Sequence, residues 1–162
     1  MSFRVGHGYD VHRFEDGRPL WLGGVHIKDH SGLAGHSDAD VLLHAIIDAI
    51  LGAASLPDIG TIFPDSSAEF KDISSSILLS RTASLVSSAG YKIVNIDATI
   101  IAETPKIAPY ITDMRAAIAN AAGISPQDVN IKATTEEGLG FTGARLGIAA
   151  HAVCLLKAYN LD

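Results

Sequence analysis

Apolar positions recur along this chain at two different periods, and the changes of period mark out its elements. Arg4 to His12 reads as a strand. After the polar turn Arg13 to Pro19, the stretch Leu20 to Ile27 reads as a second strand interrupted by Gly23-Gly24, which predicts a hairpin or short meander. Between Asp38 and Leu51, Val41, Leu42, Ala45, Ile46, Ala49 and Ile50 repeat at helical spacing, leaving Ser37, Asp40, His44 and Asp48 on the opposite stripe. Ser37 or Asp38 is the expected N-cap. Ser74 to Ala89 is a second helix, with Ile77, Leu78, Leu85 and Val86 as its apolar positions and Gly90 as its stop. Tyr91 to Ala102 alternates as a strand with one apolar face. A helix with Ile111, Met114, Ile118 and Ala121 on its core stripe then runs from Pro109 to Gly123. Val129, Ile131 and Ala133 mark a further strand. The run Leu146 to Ala158 is too uniformly apolar for its period to decide, and Gly140 and Gly143 favour a turn between paired strands, hence a strand.

Chemistry is concentrated near the beginning of this pattern. Six of the seven histidines lie within the first 44 residues, and no lysine or arginine occurs between Lys28 and Lys71, an interval holding seven carboxylates. Two residues apart on a strand, Asp10 and His12 leave the same face of a sheet. With His44 from the helix they form a set of two imidazoles and one carboxylate, which suits zinc and leaves one tetrahedral position open. Asp40 or Asp48, a helical turn either side of His44, is placed to hold its second ring nitrogen. The plainer reading is a solvated helix face, but such a face normally mixes lysine with glutamate and this one has neither. His36, just before the helix, stands where backbone N–H groups and the helix dipole favour phosphate. Asp58 and Asp65, in a loop with two prolines, can bond sugar hydroxyls or act as ordinary turn aspartates. The segment Thr134 to Gly143 joins hydroxyls, carboxylates and three glycines, a combination able to cradle phosphate and a hard cation.

Composition narrows the field. At 162 residues and 48% hydrophobic, the chain is the size of one domain with a sizeable core. Its net charge of -6 with no basic cluster argues against nucleic acid and anionic membranes, so an anionic substrate would need metals to offset repulsion. No apolar run reaches the roughly 20 residues that span a bilayer. The single cysteine, Cys154, lies in an apolar run. That excludes an intrachain disulfide and fits a reducing compartment, cytoplasmic or, if a transit peptide has been removed, plastid stroma.

Taken together, Gly6-His7-Gly8-Tyr9-Asp10-Val11-His12, Gly35-His36-Ser37-Asp38-Ala39-Asp40-Val41-Leu42-Leu43-His44, Asp58-Ile59-Gly60, Phe63-Pro64-Asp65, Pro105-Lys106 and Lys132-Ala133-Thr134-Thr135 resemble the motifs of the 2-C-methyl-D-erythritol 2,4-cyclodiphosphate synthases. The resemblance covers nearly the whole chain. It implies an α+β fold, a mixed sheet with helices packed on one face, assembled as a homotrimer with active sites between subunits. It implies conversion of 4-diphosphocytidyl-2-C-methyl-D-erythritol 2-phosphate to the cyclic diphosphate and CMP, in the non-mevalonate route to isoprenoids. By matching position, Asp10, His12 and His44 would bind one zinc per subunit and Glu137 a Mg²⁺ or Mn²⁺. His36 and Thr135 would stabilise the transition state. Ser37 and Thr134 would contact phosphates, and Asp58, Ile59, Gly60, Phe63 and Asp65 would line the methylerythritol site. Ala102, Pro105, Lys106, Ile107 and Ala108 would receive the cytidine of a neighbour's substrate, with Phe141 and Arg145 also facing substrate.

One stretch departs from the family pattern. Gly143-Ala144-Arg145-Leu146-Gly147 displaces the usual arginine by one position and puts leucine for a glutamate, and on a strand a one-residue offset reverses a side chain's face. In the family these positions line a central cavity that holds isoprenoid diphosphates. Two other readings use the same residues: a zinc phosphohydrolase giving linear products, and a trimeric terpenoid-diphosphate binding protein with structural zinc.

Overall fold

The computed structural model describes residues 2–159. In chain order the elements are β1 (Phe3–Glu15), the hairpin β2 (Leu20–Leu22) and β3 (Val25–Ile27), β4 (Gly32–Leu33), α1 (Val41–Ala53), α2 (Ile59–Ile62), α3 (Ser75–Ser88), β5 (Tyr91–Ile101), α4 (Ile111–Ala122), β6 (Val129–Thr134), α5 (Gly140–Gly143) and β7 (Gly147–Ala158). Five strands make one mixed sheet in the order β4-β1-β7-β5-β6, in which only β5 and β6 run parallel. The fold is α+β. The apolar final run is a strand, as expected, but it pairs with β1 and β5 and never with β6. The glycines at 140 and 143 therefore carry the chain past β5 instead of joining neighbours.

The sheet has one covered and one uncovered face. On β1 and β7 the even-numbered residues from Gly6 to Gly8 and from Ile148 to Leu156 are buried beneath the helices. Phe3, Val5, Tyr9, Val11 and Val153 point the other way and stay exposed. His151 joins them, its Nδ1 3.0 Å from His7 Nε2. In β5 the extra residue Val94 forms a bulge between Ile93 and Asn95, so Ile93 turns to the covered face that strict alternation would deny it. Cys154 lies fully buried there, which pushes its thiol up to about 12.

α1 is the centre of the core. All but three of its residues are buried, the exceptions being His44, Asp48 and Gly52 on a single narrow stripe. A helix apolar nearly all round must be enclosed, and each buried leucine or isoleucine contributes roughly 1.5–3 kcal/mol. Its N-cap is Asp40, whose carboxylate accepts from Leu43 N–H, so the expectation of Ser37 or Asp38 is corrected. In α3 the buried positions are Ser75, Leu78, Leu79, Thr82 and Val86, while Ile77 and Leu85 face solvent. The helix is rotated from the expected stripe because two small polar residues, Ser75 and Thr82, tolerate the close packing.

Gly6 and Gly8 permit α1 to lie directly on β1. A Cβ on Gly8 would collide with the Ala45 carbonyl oxygen and come to 2.7 Å from Ala49 N, and one on Gly6 would meet Ala49 and Ala53 in the same way. Gly8→Ala is expected to cost at least about 3 kcal/mol, the upper end for overpacking, because backbone cannot rotate aside. Gly52→Ala, with nothing within 4 Å of the new methyl, is expected to gain about 0.5–1 kcal/mol. Denaturant unfolding of the two variants checks both signs.

Candidate functional site

Where α1 crosses β1, the same contact that buries Gly6 and Gly8 brings His44 over Asp10 and His12. Asp10 Oδ2 lies 2.9 Å from His12 Nε2 and 3.1 Å from His44 Nδ1, and the two ring nitrogens are 3.1 Å apart. The three side chains are half-buried and form the one grouping of three or more such side chains able to hold a metal ion among the described residues. His12 Nδ1 lies 2.6 Å from the Ala34 carbonyl. A carbonyl only accepts, so Nδ1 carries a proton and Nε2 is the nitrogen left to face Asp10 and His44. Two imidazole nitrogens and a carboxylate oxygen converging in this way form a donor set that fits a small divalent ion with bonds of about 2 Å.

Electrostatics reinforce the arrangement. Burial works to raise the Asp10 carboxyl, but hydrogen bonds and attraction from His12 and His44 prevail and leave it well below the usual range. Burial works to lower His12, and the Asp10 carboxylate and the Ala34 carbonyl prevail in raising it. Each partner stabilises the other's charge, as a bound cation would stabilise Asp10.

A cleft of about 220 Å³ opens from this cluster. Its walls include His36 and Ser37 on one side, and Ile59, Gly60, Phe63 and Asp65 on another, so six of the residues expected to meet substrate gather beside Asp10, His12 and His44. Asp58 is not in the lining; it caps α2 by accepting from Thr61 N–H at 2.8 Å. Thr134, Thr135, Glu137, Phe141, Arg145 and the segment Ala102 to Ala108 also lie outside this cleft. Several of them cluster at the ends of β5 and β6, where Ala102 N–H donates to the Thr134 carbonyl at 3.0 Å and Gly138 N–H to Glu103 Oε1 at 3.1 Å. Arg145 sits in a left-handed turn before β7, with φ 59°, so the strand-alternation argument about its displacement does not apply.

The expected supports of His44 are corrected. Asp40 is fully buried and points away from it, accepting from Gly23 N–H at 2.9 Å, Gly24 N–H at 2.7 Å and Leu43 N–H at 3.1 Å. Burial and nearby Asp38 raise its carboxyl against those bonds. Asp48 instead accepts from Ile59 N–H at 2.8 Å and fastens the 59–65 wall to α1. The second nitrogen of His44 meets hydroxyls, Ser75 Oγ at 3.0 Å and Ser37 Oγ at 3.2 Å. Ser75 was not singled out from the sequence, nor was Arg18, whose guanidinium holds the carbonyls of Gly35 and Ser37 and pins the loop carrying His36. Phe70 and Leu78 complete the lining. No local spacing announces these four, since each reaches the site from a distant segment.

The YgbB family profile matches residues 3–157. The chain belongs to the YgbB family. Among its relatives, the 2-C-methyl-D-erythritol 2,4-cyclodiphosphate synthase of Clostridium acetobutylicum is 58% identical over 153 residues, covering 94% of this chain and 99% of the relative. That of Syntrophomonas wolfei is 55% identical over 154 residues, covering 95% and 98%. Among solved structures, IspF of Plasmodium falciparum in complex with CDP superposes with a TM-score of 0.85 at 34% identity over 98% of both chains. The bifunctional IspDF of Campylobacter jejuni gives a TM-score of 0.94 at 41% identity, and this YgbB-family chain, 98% covered, spans 43% of that longer one.

Stability of the metal-free protein reports the Asp10–His12 pairing. A depressed Asp10 contributes stability above its ordinary 3.8 that is lost as pH falls through its folded value. A raised His12 contributes stability below its ordinary 6.5 that is lost as pH rises through its folded value. Wild type should therefore exceed His12→Ala most between those two values. Zinc competes with the His12 proton, so its affinity should fall as pH drops through the raised His12 value. Thermal unfolding across pH with and without zinc tests both statements.

Proposed function

We propose that this YgbB-family chain converts 4-diphosphocytidyl-2-C-methyl-D-erythritol 2-phosphate to 2-C-methyl-D-erythritol 2,4-cyclodiphosphate and CMP. The observation that carries this reading is the convergence of Asp10, His12 and His44 at a cleft whose walls hold His36, Ser37, Gly60 and Asp65, in a chain more than half identical to synthases of that name.

The chemistry asks for positioning. The nucleophile is an oxygen of the substrate's own 2-phosphate, already anionic. It attacks the β-phosphorus, the bond to the CMP oxygen breaks, and CMP leaves with the electron pair. Asp10 Oδ2, His12 Nε2 and His44 Nδ1 would hold a divalent ion, zinc by the character of the donors. When bound, that ion supplies positive charge that polarises phosphoryl oxygens and offsets repulsion between the two phosphate groups. Ser37 presents a hydroxyl beside the cluster, and His36 stands on the cleft wall within reach of charge developing on the reacting phosphate. Gly60 and Asp65 face the methylerythritol, held in place by the Asp48 bond to Ile59. Closing the phosphates and polyol into one cleft converts the attack into a pre-oriented step.

The active unit is a homotrimer in which a neighbour completes the cleft. Asp10 on β1 and Thr134 on β6 are separated by β7 and β5 in the sheet order, three strand spacings or on the order of 14 Å. Two groups this far apart serve one substrate more readily when each belongs to a different copy. The uncovered sheet face, with Phe3, Val5, Tyr9, Val11 and Val153 exposed, supplies an apolar surface for association. In that assembly Ala102 to Ala108 would receive cytidine, Thr134 and Thr135 would contact its phosphates, and Glu137 would hold a Mg²⁺ or Mn²⁺.

Phosphorus NMR of the protein with this substrate and Mg²⁺ is the deciding experiment. Coupled cyclic diphosphate resonances should appear together with CMP, and should vanish on chelation and in His44→Ala, with a loss of activity of at least about 100-fold. Linear phosphate products would point instead to a hydrolase. Unchanged substrate beside a metallated protein would point to a binding protein.

A further inference from the structure

Behind His44, on the side away from Asp10 and His12, a chain of hydrogen bonds runs outward to a second carboxylate. His44 Nε2 lies 3.0 Å from Ser75 Oγ. Ser75 Oγ donates to Asp38 Oδ1, and the other oxygen of that carboxylate accepts from Ser75 N–H at 2.9 Å. Asp38 is fixed in turn by its own N–H, which donates to the Ile73 carbonyl at 3.1 Å. Ser75 is fully buried. A serine hydroxyl has one proton and two lone pairs. With the proton committed to a carboxylate, only lone pairs face His44, so Ser75 must accept from Nε2–H. With the proton on Nε2, Nδ1, which lies 3.1 Å from Asp10 Oδ2, is the nitrogen left to offer a lone pair to a metal ion in place of that hydrogen bond. Ser37 Oγ, 3.2 Å from the same nitrogen, already accepts from Ala39 N–H at 3.2 Å and keeps its proton for a ligand in the cleft.

We infer that Asp38 and Ser75 are positioning residues that set the tautomer of His44, holding a proton on Nε2 so that Nδ1 is the metal-facing nitrogen. The inference rests on the metal reading only for what Nδ1 does; the direction of the hydrogen bonds stands without it. Neither residue touches the cleft's metal-facing atoms, and both act through His44. The same carboxylate also caps α3, since Ser75 is the first residue of that helix and the Ser74 hydroxyl makes no capping bond.

Asp38→Asn separates the two roles. Its amide oxygen still accepts from Ser75 N–H and keeps the cap, while its NH₂ donates to Ser75 Oγ. The hydroxyl proton is thereby released, turns toward His44 Nε2 and favours the wrong tautomer. Two readouts test the inference: ring ¹⁵N NMR of His44 in metal-free and zinc-loaded wild type, and zinc affinity by chelator competition in wild type, Asp38→Asn, Ser75→Ala and the control Ser74→Ala. Wild type should show Nε2 protonated and protected from exchange in both states. Asp38→Asn and Ser75→Ala should bind zinc about 10–100-fold more weakly, with Ser74→Ala unchanged and metal-free Asp38→Asn melting like wild type. A His44 Nε2 without a proton in wild type, or wild-type zinc affinity in both variants, would overturn the inference. So would an affinity loss in Asp38→Asn that is matched by its loss of folding stability, which would make Asp38 a helix cap alone. If Ser75→Ala does not fold, Asp38→Asn and the wild-type spectrum decide. A wild type that binds no zinc would remove the metal reading, and the Nε2 signal would still settle the hydrogen-bond chain.

Discussion

Backbone-to-backbone contact between α1 and β1 is the constraint from which the rest of the structure follows. Gly6 and Gly8 leave the strand without side chains where Ala45, Ala49 and Ala53 of the helix press down. Beyond the glycines, on the same strand face, come Asp10 and His12, and on the helix, one residue before Ala45, comes His44. A strand rises about 3.3 Å per residue and a helix 1.5 Å, so only a close crossing lets residues two apart on one element meet a single residue of the other. The candidate metal-ligating set is thus a by-product of packing geometry. Its precision is that of the core, where a shift of even one methylene is felt. Asp10, His12 and His44 stand on β1 and α1, so their placement needs no loop to become ordered.

That crossing also explains the charge pattern. α1 is enclosed except along His44, Asp48 and Gly52, so the cleft is where its polar stripe must emerge. Three carboxylates close to the cleft have fixed work. Asp40 caps α1 and the Gly23-Gly24 turn, Asp48 holds the 59–65 wall, and Asp38 bonds Ser75. Asp10 differs from these three in being bonded to imidazoles alone. Its charge, unlike theirs, faces the two rings and is placed to meet a cation beside them.

The legible parts of the sequence are those with local periodicity. The i, i+2 pair Asp10 and His12 and the helical repeat beneath His44 were enough to find the donor set, and the strand and helix order follows from the same periods. What the sequence does not announce is non-local. Asp40 looks like a polar stripe residue because its spacing is helical, and only the hairpin folded over it reveals a buried cap. Ser75 sits in a run of three serines with nothing to distinguish it, and becomes the partner of His44 because α3 packs against α1 with a small residue at the contact. The register of Ile93 depends on a bulge that no hydrophobic pattern encodes, and the placing of β7 between β1 and β5 depends on the whole sheet. The family resemblance named residues in the cleft but could not say which carboxylate supports which ligand.

Charge balance joins these two scales. The chain carries a net charge of -6, and the reaction brings together two phosphate groups and then releases a third, so local positive potential has to come from somewhere other than side-chain bulk charge. In the cleft the lining includes no lysine or arginine, and Arg18 is spent on the Gly35 and Ser37 carbonyls. Backbone amides and imidazoles are polar but weakly charged, and water alone would screen rather than orient. A dication held by one carboxylate contributes a net positive charge at a fixed point, and neutral imidazoles add donors without cancelling it. A second carboxylate among the ligands would have erased that charge. Two histidines with a single aspartate are therefore what an acidic protein needs at the place where it must attract phosphate.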